Sequence, residues 1–159
     1  MKLTTTALTS LVAFFATGSV GAAAVSAQGT TAKAVVEGNF AQTCKDIQLG
    51  RRERVGGTYF DLKAVCLGLD DKEYHTSLQL GLCLENDHGV IKWTKRGNFD
   101  KSCESCRLTK IGGNEVIMRC YCKPAHDQSI IEATININDG IRNEGGYTWC
   151  GDEMGTRTA

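Results

Sequence analysis

The residues of this chain best equipped for chemistry are its eight cysteines, at positions 44, 66, 83, 103, 106, 120, 122 and 150. Their spacing supports two readings. Cys103-x-x-Cys106 and Cys120-x-Cys122 could offer four thiolates to zinc, which takes tetrahedral sulfur sites of this kind. An even number of cysteines in an oxidising compartment instead forms disulfides, and eight cysteines admit 105 pairings. The N-terminus decides between them. Lys2 is followed by a small, apolar run over residues 8–24, no charge occurs from Leu3 to Thr31, and Val25-Ser26-Ala27 has the small residues that signal peptidase reads. The run falls short of the roughly 20 apolar residues that cross a bilayer. Residues 1–27 are therefore expected to be a secretory signal peptide, and the remainder a secreted, extracellular, disulfide-bonded chain with no metal and no cofactor.

Other reactive groups form no catalytic constellation. Asp70-Asp71 falls in an expected loop with no nucleophile or raised-pKa acid opposite it. No Gly-x-Ser-x-Gly or His-Glu-x-x-His motif occurs. His75, His88 and His126 are scattered without ligand spacing. No enzyme is expected. Cleavage after Ala27 removes Lys2 and no acid, which leaves one more acidic than basic side chain. Such a chain would not be steered electrostatically to nucleic acid or to an anionic membrane. No second apolar run is long enough for membrane insertion.

The elements that must position any site come in two copies. Gly38-Asn39-Phe40 and Gly97-Asn98-Phe99 each stand three residues before a hydroxyl residue and a cysteine, as GNFAQTC and GNFDKSC. Repeat 1 covers about residues 38–94 and repeat 2 about 97–150, after a short N-terminal tail over 28–35. Residues 151–159 read as a C-terminal tail. Tyr59 to Cys66 and Glu115 to Cys122 alternate as strands, with Phe60, Leu62 and Ala64 on one side. Gly56-Gly57 and Gly112-Gly113-Asn114 supply the turns before them, and Asn86-Asp87-His88-Gly89 supplies another. Leu78-Gln79-Leu80 and Ile135-Asn136-Ile137 are short alternating stretches, and Val90 to Trp93 and Tyr147 to Trp149 short strands. Trp93 and Trp149 are expected to be core rather than exposed stacking platforms. Helix is confined to single turns near residues 39–44 and 98–103. The fold class is all-β, with two complementary halves burying each other's apolar faces.

In this order the motifs resemble the cyanovirin-N family of lectins: GNFAQTC, then LENDHGVIKW over residues 84–93, then NFDKSC, then ININDGIRN over residues 135–143. The resemblance spans about residues 36–150. It implies an elongated, two-lobed, pseudo-symmetric β-fold with strands exchanged between repeats, as a monomer or a domain-swapped dimer. It also implies disulfides Cys44–Cys66 and Cys103–Cys120. Of the four additional cysteines, Cys106 and Cys122 are assigned to one bridge beside the copy-two hairpin and Cys83–Cys150 to the other.

The resemblance further implies up to two pockets for glycans or glycoproteins, of oligomannose type. Around copy two the carried-over residues are Glu85, Asn86, Asn98, Ser102, Lys123 and Gln128. His88 stands there for an acid, Lys101 for a carboxylate, and Tyr121 and Cys122 follow the expected second cysteine. Around copy one they are Asn39, Gln42, Thr43 and Asn143, with Leu67, Leu69 and Gly145 where the family has an acid, a hydroxyl and an Asp. The copy-two pocket ranks ahead. A secreted lectin for mannose-rich glycans is the first expectation. A cysteine-rich effector that uses the scaffold to bind protein at a host or cell surface is the second.

Overall fold

Each residue of the GNF motif has its own structural task. A Cβ on Gly38 would fall 2.0 Å from the Asn138 carbonyl oxygen, and one on Gly97 would fall 2.5 Å from that of Leu84. Only glycine permits that approach. Asn39 and Asn98 adopt left-handed conformations, with φ 79° and 52°, which asparagine tolerates better than most residues. Phe40 and Phe99 are fully buried and open the 3-10 turns Phe40–Gln42 and Phe99–Lys101. The motif thus turns the chain into the core just before each first cysteine.

The computed structural model describes residues 38–125 and 129–159. The expected signal peptide, the N-terminal tail and the segment His126-Asp127-Gln128 lie outside the described residues. Copy one contains β1 (Cys44–Arg54), β2 (Gly57–Leu67), β3 (Glu73–Gln79), a 3-10 turn (Leu80–Leu82), β4 (Leu84–Asp87) and β5 (Val90–Trp93). Copy two answers element for element with β6 (Cys103–Gly112), β7 (Glu115–Cys122), β8 (Ile131–Asn136), a 3-10 turn (Ile137–Asp139), β9 (Arg142–Glu144) and β10 (Tyr147–Cys150). The alternating stretches expected through Leu80 and Ile137 therefore end one residue early, and those two side chains begin buried turns. β11 (Glu153–Met154) and β12 (Thr156–Thr158) complete the chain.

The sheets run β1-β2-β3-β12, β6-β7-β8 and β11-β10-β9, with β4-β5 as a separate hairpin. Residues 151–159 are thus not a tail. β11 pairs with β10, and β12 adds an antiparallel edge to β3, with Thr156 opposite Ser77. The copies interlock through their backbones: Asn39 N–H donates to the Asn138 carbonyl, and Asn98 N–H to that of Gly81. One core results. Phe40, Leu62, Leu78, Leu80 and Leu84 share it with Phe99, Val116, Met118, Ile137 and Ile141.

The disulfides are Cys44–Cys66, Cys83–Cys150, Cys103–Cys122 and Cys106–Cys120. The expected Cys103–Cys120 and Cys106–Cys122 are corrected by register. Cys103 lies directly opposite Cys122, as Cys44 lies opposite Cys66. A bulge follows in both hairpins, carrying Asp46 and Ser105 at φ 51° and 52°. It brings Cys106 across from Cys120, and in copy one the same two places hold buried Ile47 and Ala64. Cys106–Cys120 is nested inside the loop that Cys103–Cys122 already closes, so it removes little further chain entropy. Cys106→Ile with Cys120→Ala, which copies repeat one, is expected to change stability by no more than about 1 kcal/mol. Thermal melts of the two proteins check this.

Copy two also buries a carboxylate where copy one has none. Ala41 N–H donates to Asn138 Oδ1. In the matching place Asp100 packs against Gly81, where a Cβ would come within 2.7 Å of its carboxylate. Asp100 is 5% exposed, and neither of its oxygens has a side-chain hydrogen-bond partner among the described residues. Burial pushes its pKa above the ordinary 3.8, with the nearby Asp61 adding to the rise. A folded-state pKa above the unfolded one makes stability greatest below the unfolded pKa, with loss as pH rises through the folded value. Asp100→Asn is therefore expected to stabilise the protein near pH 7 by about 1 kcal/mol, because a neutral amide is cheaper to bury than a carboxylate. The difference should vanish below about pH 3.8. Thermal melts across that range check the sign.

Candidate functional site

Two Asn-x-x-Gly turns, one per copy, build the same clasp at opposite copies. Asn86, on β4, accepts from Gly89 N–H at 2.8 Å. Its Nδ2 donates to Ser102 Oγ at 2.9 Å and to the Lys123 carbonyl at 2.7 Å. Asn143, on β9, accepts from Gly146 N–H at 3.0 Å and donates to Thr43 Oγ1 at 3.0 Å and to the Leu67 carbonyl at 2.9 Å. Each turn reaches across to the residue before the first cysteine and the residue after the second cysteine of the other copy. The residue after Cys122 is Lys123, so Tyr121 and Cys122 do not form the pocket wall that counting from Cys120 suggests.

These bonds separate the side chains that fasten the turns from those left outside the clasp. Asn86 and Ser102 in one pocket, and Asn143 and Thr43 in the other, are partners of each other. Both Nδ2 hydrogens of each asparagine are occupied by the clasp. Asn98 holds a left-handed backbone position, and its side chain donates to the Arg96 carbonyl at 2.9 Å. Gln42 donates to Asn114 Oδ1 at 3.3 Å. Asn39 is placed by its left-handed φ before Phe40, and Gln128 lies outside the described residues.

Three charged groups are left over around copy two. Glu85 packs against Gly97, beside Asn98, while Lys101 and Lys123 are exposed. None of the three has an ion-pair partner among the described residues. Asp87, at the tip of the β4–β5 turn, was not singled out from the sequence. A hydrogen bond from Lys92, reinforced by one from His88, holds its carboxyl below the usual carboxylate range. From Ser102 and Lys123 a groove of about 360 Å³ continues past Lys101 and Glu104 toward Arg51 and Thr58 on the β1–β2 hairpin.

The copy-one end differs in chemistry. Leu67 and Leu69 are 43% and 92% exposed. Arg157, on β12, lies between Tyr74 and Tyr147, 4.1 and 4.3 Å from the ring centroids, and donates to the Gly145 carbonyl. Tyr74 in turn donates to Asp70 at 2.8 Å. The C-terminal strand thus braces the Asn143 turn, and the Thr-Arg-Thr alternation was its only trace in the sequence. Neither tryptophan is a free platform. Trp93 covers Gly140, and Trp149 is half-buried with the Arg142 guanidinium 5.1 Å from its ring centroid. Among the described residues, no group of three His, Cys, Asp or Glu is placed to hold a metal, and no helix is long and apolar enough to cross a membrane.

Residues 28–148 match the CVNH domain. The chain belongs to the CVNH family. The repeat motifs and the all-β architecture agree with that membership. A CVNH protein of Gibberella zeae is similar in structure, with a TM-score of 0.57 and 23% identity over 71% of this chain and 97% of that one. Microvirin, solved as a mannobiose complex, gives 0.55 and 26% over 72% and 99%. A variant of MoCVNH3 solved with (N-GlcNAc)4 gives 0.57 and 18% over 71% and 97%. No curated protein matches the chain.

Proposed function

We propose that the chain is a secreted, non-catalytic lectin that binds mannose-rich glycans through the copy-two pocket. The observation that carries this reading is a set of charges with no ion-pair partner among the described residues, beside a fully bonded clasp. Glu85 can accept from sugar hydroxyls, and Lys101 and Lys123 can donate to them. Charge-assisted hydrogen bonds of this kind are the stronger ones. Asn86 holds the two sides of the pocket in place before any ligand arrives, which lowers the ordering cost of binding. The likeness to microvirin, whose structure holds mannobiose, favours mannose as the sugar.

Catalysis is disfavoured by the same electrostatics. A glycosidase needs one carboxyl kept protonated near neutral pH beside a second one. Asp87 is shifted the opposite way, and the raised carboxyl of Asp100 has no accessible oxygen. A monomer suffices for binding, because each pocket is closed by the other copy of the same chain.

A glycan array of the disulfide-intact protein tests the proposal, with retention of mannose-terminated oligosaccharides expected. Retention of no glycan at all would favour the protein-binding effector, for which the exposed Leu67 and Leu69 are the supporting observation.

A further inference from the structure

The copy-one end keeps the clasp and replaces the chemistry around it. Matching the copies through Cys44–Cys66 and Cys103–Cys122 sets Gln42 against Lys101, Lys45 against Glu104, Val65 against Tyr121, and Leu67 against Lys123. Copy two surrounds its clasp with charges. Copy one has a shallow cavity of about 270 Å³ lined by Gln42, Thr43, Lys45, Val65, Leu67 and Glu73. Val65 and Leu67 lie two apart on β2 and so on one side of it, while Lys45 pairs with Val65 and Glu73 with Leu67 on the flanking strands. Lys45 Nζ is 2.5 Å from Glu73 Oε1, and both side chains are more than half exposed.

We infer that this cavity binds the acetamido group of an N-acetylated hexosamine, which makes the two ends of the molecule differ in sugar preference. The inference rests on the lectin reading above and assigns the second pocket its ligand class. An acetamide carries one N–H donor, one carbonyl acceptor and one methyl. Glu73 accepts from the N–H, Lys45 or Gln42 donates to the carbonyl, and Val65 with Leu67 receives the methyl. An exposed Lys–Glu pair contributes little to folding, so both partners are free to turn to a ligand. A mannose ring offers hydroxyls in place of the methyl, and aliphatic side chains cannot bond them. Copy two has no aliphatic pair at the matching places.

The test is a methyl and amide NMR titration of the whole oxidised protein with di-N-acetylchitobiose and with cellobiose, which has the same linkage and lacks the acetamides. We expect saturable shifts at Val65, Leu67, Lys45 and Glu73 with the first sugar. Cellobiose should bind at least about tenfold more weakly. Leu67→Asp, a change at an exposed position, should weaken di-N-acetylchitobiose by at least about tenfold. Equal binding of the two sugars, or no shift at these residues, overturns the inference. A parallel mannobiose titration keeps the two readings apart. Shifts at Glu85 and Lys123 with mannobiose, and none at Val65 and Leu67 with chitobiose, defeat this inference and leave the lectin standing. Silence with every sugar defeats both.

Discussion

Removing the Cys83–Cys150 bridge, as Cys83→Ala with Cys150→Ala, is expected to lower the melting temperature by on the order of 15 °C. The size follows from topology. The other three bridges staple strands that already face each other, across 22, 19 and 14 residues. Cys83–Cys150 spans 67 residues and joins the residue just before β4 in copy one to the end of β10 in copy two. Closing a loop of that length stabilises the folded state by about 4 kcal/mol through the entropy of the unfolded chain. Domains of this size are stable by only about 5–15 kcal/mol in total. The bridge also anchors the region where Thr76 and Thr148 hydroxyls meet at 2.8 Å and Gly155 N–H donates to the Thr148 carbonyl. β12 depends on that region, so it should loosen first. Scanning calorimetry of the variant checks the drop, and a shift below about 5 °C would mean that the interlocked backbones alone hold the copies together.

Glu85→Ala with Lys123→Ala is expected to reduce oligomannose affinity by at least about a hundredfold while leaving the melting temperature within about 2 °C. Hydrogen bonds to charged groups contribute about 1.5–3 kcal/mol each, and two of them are lost. The stability should hold because, among the described residues, neither side chain has an ion-pair partner to leave behind. Asn86→Ala makes the contrast. It breaks the bonds to Gly89, Ser102 and Lys123 together, so it should lower melting temperature and affinity alike. Calorimetric titration beside thermal melts separates the two patterns. If the double variant and Asn86→Ala behaved the same way, the division into clasp and recognition surface would fail.

Much of the fold was legible because its strongest constraints are local. GNF specifies a close approach, a left-handed turn and a core phenylalanine in three consecutive residues, and its recurrence announces the repeat. The β2 and β7 strands show their period, and Gly-rich turns mark their hairpins. What stayed hidden depends on contacts between distant segments. Cys120 and Cys122 lie two apart on one side of β7, so spacing cannot say which one meets Cys103. A bulge with Ser105 at positive φ makes that choice. β12 pairs with a strand about 80 residues earlier, and nothing local in Thr156-Arg157-Thr158 demands it.

Part of the clasp was legible as well: Asn86 meets Ser102 and the Lys123 carbonyl at one end, as Asn143 meets Thr43 and the Leu67 carbonyl at the other. The division of labour among them was not readable. An Asn-x-x-Gly turn looks the same in sequence whether its amide faces a ligand or fastens two strands. Only the cross-copy bonds to Ser102 Oγ and the Lys123 carbonyl show that Asn86 is a fastener. Lys101 read as a lost carboxylate, whereas the structure presents it as an exposed cation beside the pocket.

The most direct test is an amide NMR titration of the disulfide-intact chain with mannobiose. Saturable shifts confined to residues 85–89, Ser102 and Lys123, and absent from the Glu85→Ala, Lys123→Ala variant, are the predicted result. Shifts centred on Thr43, Leu67 and Asn143, or none at millimolar sugar, would contradict the assignment of mannose to the copy-two pocket.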